Sequence, residues 1–269
     1  MLPLVFSHAN SFPASTYRLL FALLRERGCA IRAIERFGHD PRYPVSDSWP
    51  HLVQQLADFA RAEVERLGTP VFLVGHSLGG YLSIMAAAQH PELARGVLLI
   101  DSPLIGGWRA TLLGLAKRVR LVDTFSPGRI SRRRRAHWAS DQEALAYFRA
   151  KNSFAQWHPE MLQDYVQHGL QDEGGQRTLV FRRDVETAIY DTLPHGFAAL
   201  LRRHPLRCPV AFIGGCGSQE LRQAGLDLTL RITQGRTMML DGSHLFPMER
   251  PEATAAAIEA SLLNLASLG

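Results

Sequence analysis

The sequence Gly-His-Ser-Leu-Gly-Gly over residues 75–80 constrains the fold more than any other stretch of this chain. It follows an apolar run at 71–74 and precedes a helical pattern of small residues at 81–89. Gly-x-Ser-x-Gly between a strand and a helix is typical of a nucleophile elbow, a turn that exposes a serine hydroxyl above a sheet. The glycines on both sides of the serine allow a turn too tight for a Cβ atom. The pattern therefore predicts Ser77 as a nucleophile.

Short apolar runs alternate with helical patterns on both sides of this turn. Runs that are apolar throughout indicate strands covered on both faces, and their alternation with helices indicates a parallel sheet. The alternation stops after Asp101, so we predict one α/β core, residues 1–101 and 206–269, and a helical cap insertion, residues 102–205. The predicted strands lie at 2–6, 29–34, 71–74, 96–100, 209–214 and 237–240, and the predicted helices at 14–27, 50–67, 81–89, 218–232 and from 251 onward.

A serine hydroxyl needs a neighbouring base, and that base needs an acid that orients it. The sequence Gly-Ser-His-Leu-Phe-Pro at 242–247 lies between the last predicted strand and the last predicted helix. A histidine in such a loop can reach over the edge of the sheet to Ser77. His244 is therefore the best candidate for the base among the 11 histidines of the chain.

The elbow and the His244 loop resemble the motifs of the α/β-hydrolase superfamily, in particular its serine esterases and lipase-like members. A third similarity is His8-Ala9-Asn10 after the first strand, where the family usually has His-Gly-x. The resemblance covers the chain outside 102–205 and implies a sheet flanked by helices, with a cap insertion. The family usually opens with a β-hairpin, whereas this sequence begins at the strand after it. We therefore expect about six mostly parallel strands.

The resemblance also implies a function and further site residues. It implies cleavage of an ester or related acyl bond through an acyl-enzyme, with a Ser-His-acid triad and without a cofactor or a metal. The oxyanion of such a reaction needs two preset donors, and the family pattern places them at the backbone N–H groups of Leu78 and Asn10. His8 matches a loop histidine of the family that is usually structural.

The acid that would orient His244 has two candidates. The family most often carries Gly-x-x-Asp after the strand at 209–214, but residues 214–220 read Gly-Gly-Cys-Gly-Ser-Gln-Glu and contain no aspartate. Glu220 is the nearby carboxylate there, and a favourable interaction with a helix N-terminus explains it equally well. Asp101 follows the strand after the elbow, a position that some lipases and dehalogenases use, although Asp-Ser-Pro is also a natural turn. We favour Asp101 and keep Glu220 as the alternative.

The predicted insertion is aromatic and basic. It contains 16 Lys and Arg against 10 Asp and Glu, a net charge of +6, whereas the whole chain carries +5. The run Arg132–Arg135 could bind nucleic acid or a membrane surface, but it is more typical of a solvated helix face. In the family such an insertion covers the site and selects the substrate. On that basis Phe12, in the loop after the first strand, and Trp108, in the insertion, are candidate substrate-binding residues.

The remaining features restrict partners and location. No apolar run approaches the ~20 residues of a membrane span, and the first residues lack a signal-peptide pattern. Three cysteines at no metal-ligand spacing favour a reduced, cytoplasmic protein. We expect a small-molecule acyl substrate and no nucleic acid, and the oligomeric state stays open. The alternatives are an acyltransferase or thioesterase with the same nucleophile, a non-catalytic binding protein on this fold, and a nucleic-acid binder acting through the Arg run.

Overall fold

Six parallel strands form the central sheet of the molecule. The computed structural model describes residues 1–104 and 131–268. The strands in these ranges are β1 (Leu2–Ser7), β2 (Cys29–Ala33), β3 (Val71–His76), β4 (Ala94–Ile100), β5 (His137–Trp138), β6 (Leu170–Glu173), β7 (Gln176–Leu179), β8 (Val210–Gly215) and β9 (Thr237–Leu240). The central sheet has the order β2-β1-β3-β4-β8-β9, and each neighbouring pair is parallel. The predicted α/β fold class with about six mostly parallel strands is confirmed.

Helices cover both faces of this sheet. The helices with defined bounds are α1 (Arg18–Glu26), α2 (Pro50–Leu67), α3 (Leu78–Gln89), α4 (Asp141–Arg149), α5 (Pro159–Gly169), α6 (Arg183–Asp191), α7 (Phe197–Arg203), α8 (Gln219–Ala224), α9 (Asp227–Thr233), α10 (Phe246–Glu249) and α11 (Pro251–Ala266). Apolar side chains of α1 and α11 pack into one buried layer, and those of α2 and α3 into another. Among the residues that the structure describes, no helix combines the length and the hydropathy that a membrane span requires.

Local sequence explains where the best-predicted elements begin and end. All six residues of β3 are buried, as expected for a central strand covered on both faces. The helix α2 begins with Pro50 at its first position and ends at Gly68, whose φ of 71° stops the helix. The single helix predicted over 218–232 is instead two helices, α8 and α9, which are separated at Gly225.

The predicted insertion contains a small sheet that the sequence analysis missed. The strands β5, β7 and β6 form an antiparallel sheet in that order. They are two to four residues long, and β6 exposes all of its residues after Leu170, so no hydrophobic alternation marks it. The positive φ angles of Gly174 and Gly175 allow the tight turn between β6 and β7.

Two histidines are fully buried beneath the carboxyl edge of the central sheet. His76, the last residue of β3, places Nε2 2.9 Å from the carbonyl oxygen of His244 and Nδ1 2.8 Å from the Tyr17 hydroxyl. Since a carbonyl can only accept, Nε2 carries the proton and Nδ1 accepts from Tyr17. Burial lowers the pKa of His76 to about 3, so its ring stays neutral in the folded protein.

His8, directly after β1, is neutral for the same reason. Its Nδ1 donates to the carbonyl of Ala9 at 2.7 Å, and its Nε2 accepts the backbone N–H of Phe37 at 3.0 Å. Burial lowers the pKa of His8 to about 4. These bonds to backbone on both sides of the ring are the contacts expected of a structural histidine.

We predict that alanine at Gly75 destabilises the fold severely. A Cβ at this position would lie 2.1 Å from the carbonyl carbon and oxygen of Gly79, and these backbone atoms belong to the start of α3. Overpacking against rigid backbone should cost ~3 kcal/mol or more of unfolding free energy, measured by urea denaturation. Gly196→Ala is the matched control, because nothing lies within 4 Å of its Cβ position, and it should stay within ~1 kcal/mol of wild type. Equal losses at both positions would contradict the steric account.

We predict that mild acid destabilises the fold through His76. The unfolded chain binds this proton near pH 6.5, but the folded chain binds it only near pH 3, so acid favours the unfolded chain. The free energy of unfolding should fall below pH ~6.5, and His76 should contribute a slope of up to ~1.4 kcal/mol per pH unit. His76→Gln should reduce this slope without removing it, because burial also lowers the pKa of His8, whereas His51→Gln, at an exposed histidine, should leave it unchanged. Identical slopes in wild type and His76→Gln would refute the assignment.

Candidate active site

The candidate site residues follow the carboxyl ends of neighbouring strands. Asn10 follows β1, Ser77 follows β3, Asp101 follows β4, Glu220 follows β8 and His244 follows β9. The carboxyl ends of parallel strands lie at one edge of the sheet, which is where the sites of α/β proteins form. Residues separated by up to 234 positions in the chain thus converge on one surface.

Ser77 occupies the turn between β3 and α3 with φ 53° and ψ −116°. A positive φ is rare for a residue with a side chain, and such strain persists only where the surrounding structure enforces it. The backbone N–H of Ser77 donates to the carbonyl of Ile100 at 2.9 Å. A Cβ on Gly79 would lie 1.9 Å from the carbonyl oxygen of Ser7, so the start of α3 sits directly against the end of β1. This packing holds the serine at the N-terminus of the helix.

His244 lies between Ser77 and Asp101 and contacts both. Its Nε2 is 2.9 Å from the Ser77 Oγ, and its Nδ1 is 2.6 Å from the Asp101 Oδ2. The carboxylate accepts, so Nδ1 carries the proton and Nε2 is free to accept from the serine hydroxyl. The preceding residue, Ser243, anchors this loop: its N–H donates to Glu249 at 2.9 Å, and its hydroxyl also bonds to that carboxylate.

Of the two carboxylates that the sequence left open, Asp101 makes the hydrogen bond to His244. Asp101 is 1% exposed, and its Oδ1 accepts the N–H of Gly215 at 2.7 Å while its Oδ2 accepts the hydroxyl of Ser218 at 2.5 Å. Glu220 lies 3.9 Å from His244 Nδ1 with a side chain that is 54% exposed. It sits in the first turn of α8, where a carboxylate interacts favourably with the helix dipole. Solvent at Glu220 weakens its interaction with the imidazole, whereas Asp101 is held in place.

The surroundings of His244 favour its charged form. Burial opposes protonation, but the hydrogen bond to Asp101 and the nearby carboxylates of Glu220 and Glu249 outweigh burial and raise the pKa of His244 above its ordinary value. An imidazolium formed here is therefore stabilised by its neighbours. This is the property that a base needs if it is to hold a proton taken from Ser77.

Two backbone N–H groups near Ser77 are free among the described residues. Leu78 is the first residue of α3, and its N–H has no partner within the helix. The N–H of Ala9 donates to the Tyr17 hydroxyl at 3.1 Å, but the N–H of Asn10 makes no bond in the described part of the chain. The candidate oxyanion donors, Leu78 and Asn10, are thus available to a ligand.

Glu186 of α6, a residue of the predicted insertion, holds the loop that carries Asn10. The Asn10 side-chain amide donates to the carbonyl of Glu186 at 3.1 Å, and the Ser11 hydroxyl donates to its carboxylate at 2.5 Å. Arg134 binds both oxygens of that carboxylate, at 3.0 and 2.9 Å, and donates to the hydroxyl of Tyr165 at 2.6 Å. The interpretation of the Arg run as a solvated face is therefore wrong for Arg134, whose side chain is 19% exposed.

A cavity of about 980 Å³ lies over Ser77, at the upper end of the usual size for small-molecule sites. Phe12 lines it, and the Phe12 ring packs against the ring of Tyr165 with a centroid distance of 5.4 Å. Trp108, the second candidate for substrate binding, lies outside the described residues. Further cavity-lining residues come from both the predicted core and the predicted insertion: Ala9, Asn10, Ser11, His244, Leu245, Tyr147, Phe148, Phe154 and Tyr190.

One group of described residues has donor atoms close enough together for a metal ion, and it coincides with the site. Ligand atoms of Asp101, Glu220 and His244 lie within 4.8 Å of one another. The short hydrogen bond between His244 Nδ1 and Asp101 already explains their proximity. The absence of a resident metal stays a prediction of the sequence analysis.

Three residues that hold the site together were not predicted from the sequence. Tyr17 reads as one of several apolar residues on a helix face, and its hydroxyl contacts depend on the fold. Ser218 is the N-cap of α8, where its hydroxyl accepts the N–H of Leu221, and that cap was a recognisable signal. Glu186 had no signal, because its partners lie 52 to 176 residues away in the chain.

Comparison with known proteins supports this architecture. A model of the alpha/beta hydrolase family matches residues 4–257. A serine hydrolase-like protein of Dictyostelium discoideum is 26% identical over 275 residues, which cover 89% of this chain and 69% of that protein. A monoglyceride lipase of Rattus norvegicus is 35% identical over 103 residues, but these cover only 37% of this chain and 34% of the lipase.

A solved structure agrees in fold along nearly the whole chain. It is the peroxisomal alpha-beta-hydrolase Lpx1 of Saccharomyces cerevisiae, with a TM-score of 0.74, 17% identity, and coverage of 99% of this chain and 77% of that one. At this identity the likeness shows the fold alone. The family match extends over nearly the whole sequence and includes every strand end that carries a candidate site residue. The chain therefore belongs to the alpha/beta hydrolase family.

Proposed function

We propose that this member of the family is a serine hydrolase that cleaves an ester or a related acyl bond through an acyl-enzyme. The observation that carries the proposal is the continuous hydrogen-bond chain from Ser77 Oγ through the His244 ring to Asp101, with distances of 2.9 and 2.6 Å. A hydroxyl, an imidazole and a buried carboxylate in this order are the groups that nucleophilic acyl transfer requires.

In the proposed mechanism, Ser77 Oγ attacks the acyl carbon while His244 Nε2 takes the hydroxyl proton. The N–H groups of Leu78 and Asn10 then stabilise the negative oxygen of the tetrahedral intermediate. The imidazolium returns its proton to the leaving group, and the acyl-enzyme forms. A water molecule, activated by the same nitrogen, then hydrolyses the acyl-enzyme and restores the serine.

We assign the acid to Asp101, and the assignment rests on its contacts. It accepts from Gly215 and Ser218 as well as from His244, so its carboxylate has one orientation. A fixed carboxylate holds the imidazole in the tautomer that leaves Nε2 free, and it stabilises the charged ring that forms during the reaction. Glu220 adds negative charge near the ring but makes no hydrogen bond to it.

The insertion, residues 102–205, is proposed to act as a cap over this site and to select the substrate. Its described residues supply one side of the cavity above Ser77, including Tyr147 and Phe154, and this lining supports the proposal. A cytoplasmic location is likewise a proposal. All three cysteines are free, which fits a reducing compartment.

We predict that Ser77→Ala and His244→Ala abolish acyl hydrolysis to a similar extent. Residues of one catalytic unit are not additive, because the loss of one member removes the function of the others. The assay is a panel of p-nitrophenyl esters of increasing acyl length, run beside thioester and amide substrates, which also identifies the bond that is cleaved. Labelling by a fluorophosphonate probe should require Ser77. Wild-type activity in Ser77→Ala would exclude Ser77 as the nucleophile. A difference of more than ~100-fold between the activities of the two variants would contradict the claim that Ser77 and His244 act as one catalytic unit.

We predict that Asp101→Asn lowers turnover at least ~10²-fold, while Glu220→Gln lowers it less than ~10-fold. Loss of the Asp101 carboxylate removes a group that raises the pKa of His244. Because the base acts only when neutral, the acid limb of kcat/KM should then move to lower pH. The measurement is a pH–rate profile of both isosteric variants, with folding checked by circular dichroism. The reverse order of losses would move the acid to Glu220, and two mild losses would indicate a serine–histidine dyad.

A further inference from the structure

The charged residues that line the cavity come from different parts of the chain. The acidic residues Glu220 and Glu249 flank the loop of His244, whereas Arg133 and Lys151 belong to the insertion, and all four line the same cavity. An anion inside the cavity would therefore be repelled near His244 and attracted toward the insertion.

The other charged groups of the cavity wall are already paired. Arg134 is neutralised by Glu186 at 2.9 Å, and Arg135 is paired with Glu143 at 2.5 Å. These paired side chains stabilise the cavity wall, and their charges are already compensated within the protein.

Arg133 and Lys151 are different, because neither has an acidic partner among the described residues. The Arg133 side chain makes no hydrogen bond or ion pair with the described residues, although it lies beside two arginines that do. The ammonium of Lys151 lies 4.8 Å above the ring of Tyr147, a cation–π contact that holds it at the cavity and leaves its charge uncompensated.

We infer that the substrate carries an anionic group, such as a carboxylate, remote from the acyl bond, and that Arg133 and Lys151 bind it. The inference rests on the proposed function, because it identifies the class of substrate for the Ser77 site. A cavity of about 980 Å³ has room for an acyl chain between the serine and such a group. The guanidinium of Arg133 offers paired donors to a carboxylate, and Lys151 adds a point charge.

The test compares two p-nitrophenyl esters with six-carbon acyl groups, the neutral hexanoate and the mono-ester of adipate, whose free carboxylate is the only difference in charge. Wild type should prefer the adipate ester, and the preference should shrink as salt is raised. The double variant Arg133→Gln/Lys151→Gln should lose about 5- to 10-fold in kcat/KM on the adipate ester, mainly through KM, because two exposed ion pairs are removed. Hydrolysis of the hexanoate should stay within about two-fold of wild type, since no charge contact is lost there.

A matched control separates local binding from net charge. The double variant Arg132→Gln/Arg149→Gln removes the same number of positive charges, but from neighbouring positions that do not line the cavity. This variant should keep the wild-type preference for the adipate ester. An equal loss in both double variants would overturn the inference, because long-range attraction by the whole protein would then account for the preference.

Binding of free adipate, measured by calorimetry with wild type and Ser77→Ala, makes the inference independent of turnover. Adipate should bind both proteins, and the Arg133→Gln/Lys151→Gln variant should bind it at least ~5-fold more weakly. Binding that depends on both cations, without hydrolysis of any ester, would support the inference and reject the proposed function. Hydrolysis of both esters at equal rates, with no such binding, would overturn the inference and leave the proposed function intact.

Discussion

The close contact between backbone segments at residues 75–80 determines how the rest of the site is built. The start of α3 touches the end of β1 so closely that a Cβ on Gly79 would meet the carbonyl of Ser7 at 1.9 Å. On its other side, a Cβ on Gly80 would lie 2.1 Å from the Ser102 hydroxyl, which donates to the carbonyl of Ser77 at 2.9 Å. The ends of β1 and β4 are thus packed against the turn that follows β3, and this packing holds the strained serine in place.

A buried chain of hydrogen bonds joins this turn to the two other loops of the site. The N–H of Ala9 donates to Tyr17, Tyr17 donates to His76, and His76 donates to the carbonyl of His244. Burial raises the pKa of Tyr17 and lowers that of His76, so both groups stay neutral and each bond keeps its direction. An unsatisfied member would cost ~1–3 kcal/mol. The loop of the candidate oxyanion donor Asn10 and the loop of the candidate base are therefore positioned by one network.

The parts of the structure that follow from local patterns were predictable from sequence. The buried run and glycines around Ser77 predicted both the strand and the turn, and the periodicity of 50–67 predicted α2 with its bounds. The short polar strands β5, β6 and β7 carry no such pattern, and the pairing of β5 with β7 joins chain segments about 40 residues apart. Arg134 illustrates the same limit at the site. The positive charge of Arg134 suggests a solvated side chain, but its ion pair with Glu186 forms only when α6 packs beside the loop of Asn10.

The two candidate positions for the acid lie close together in space, although they are far apart in the sequence. β4 and β8 are neighbours in the sheet, with Ile100 opposite Ile213, so their carboxyl ends lie about 4.8 Å apart. Asp101, with φ 43°, turns its side chain across that gap and accepts the N–H of Gly215 at the end of β8. Ser218, in the segment where the family usually carries its aspartate, donates to the same carboxylate. A hydroxyl donor at the usual position of the acid can thus accompany a carboxylate on the adjacent strand, because both strand ends face one imidazole.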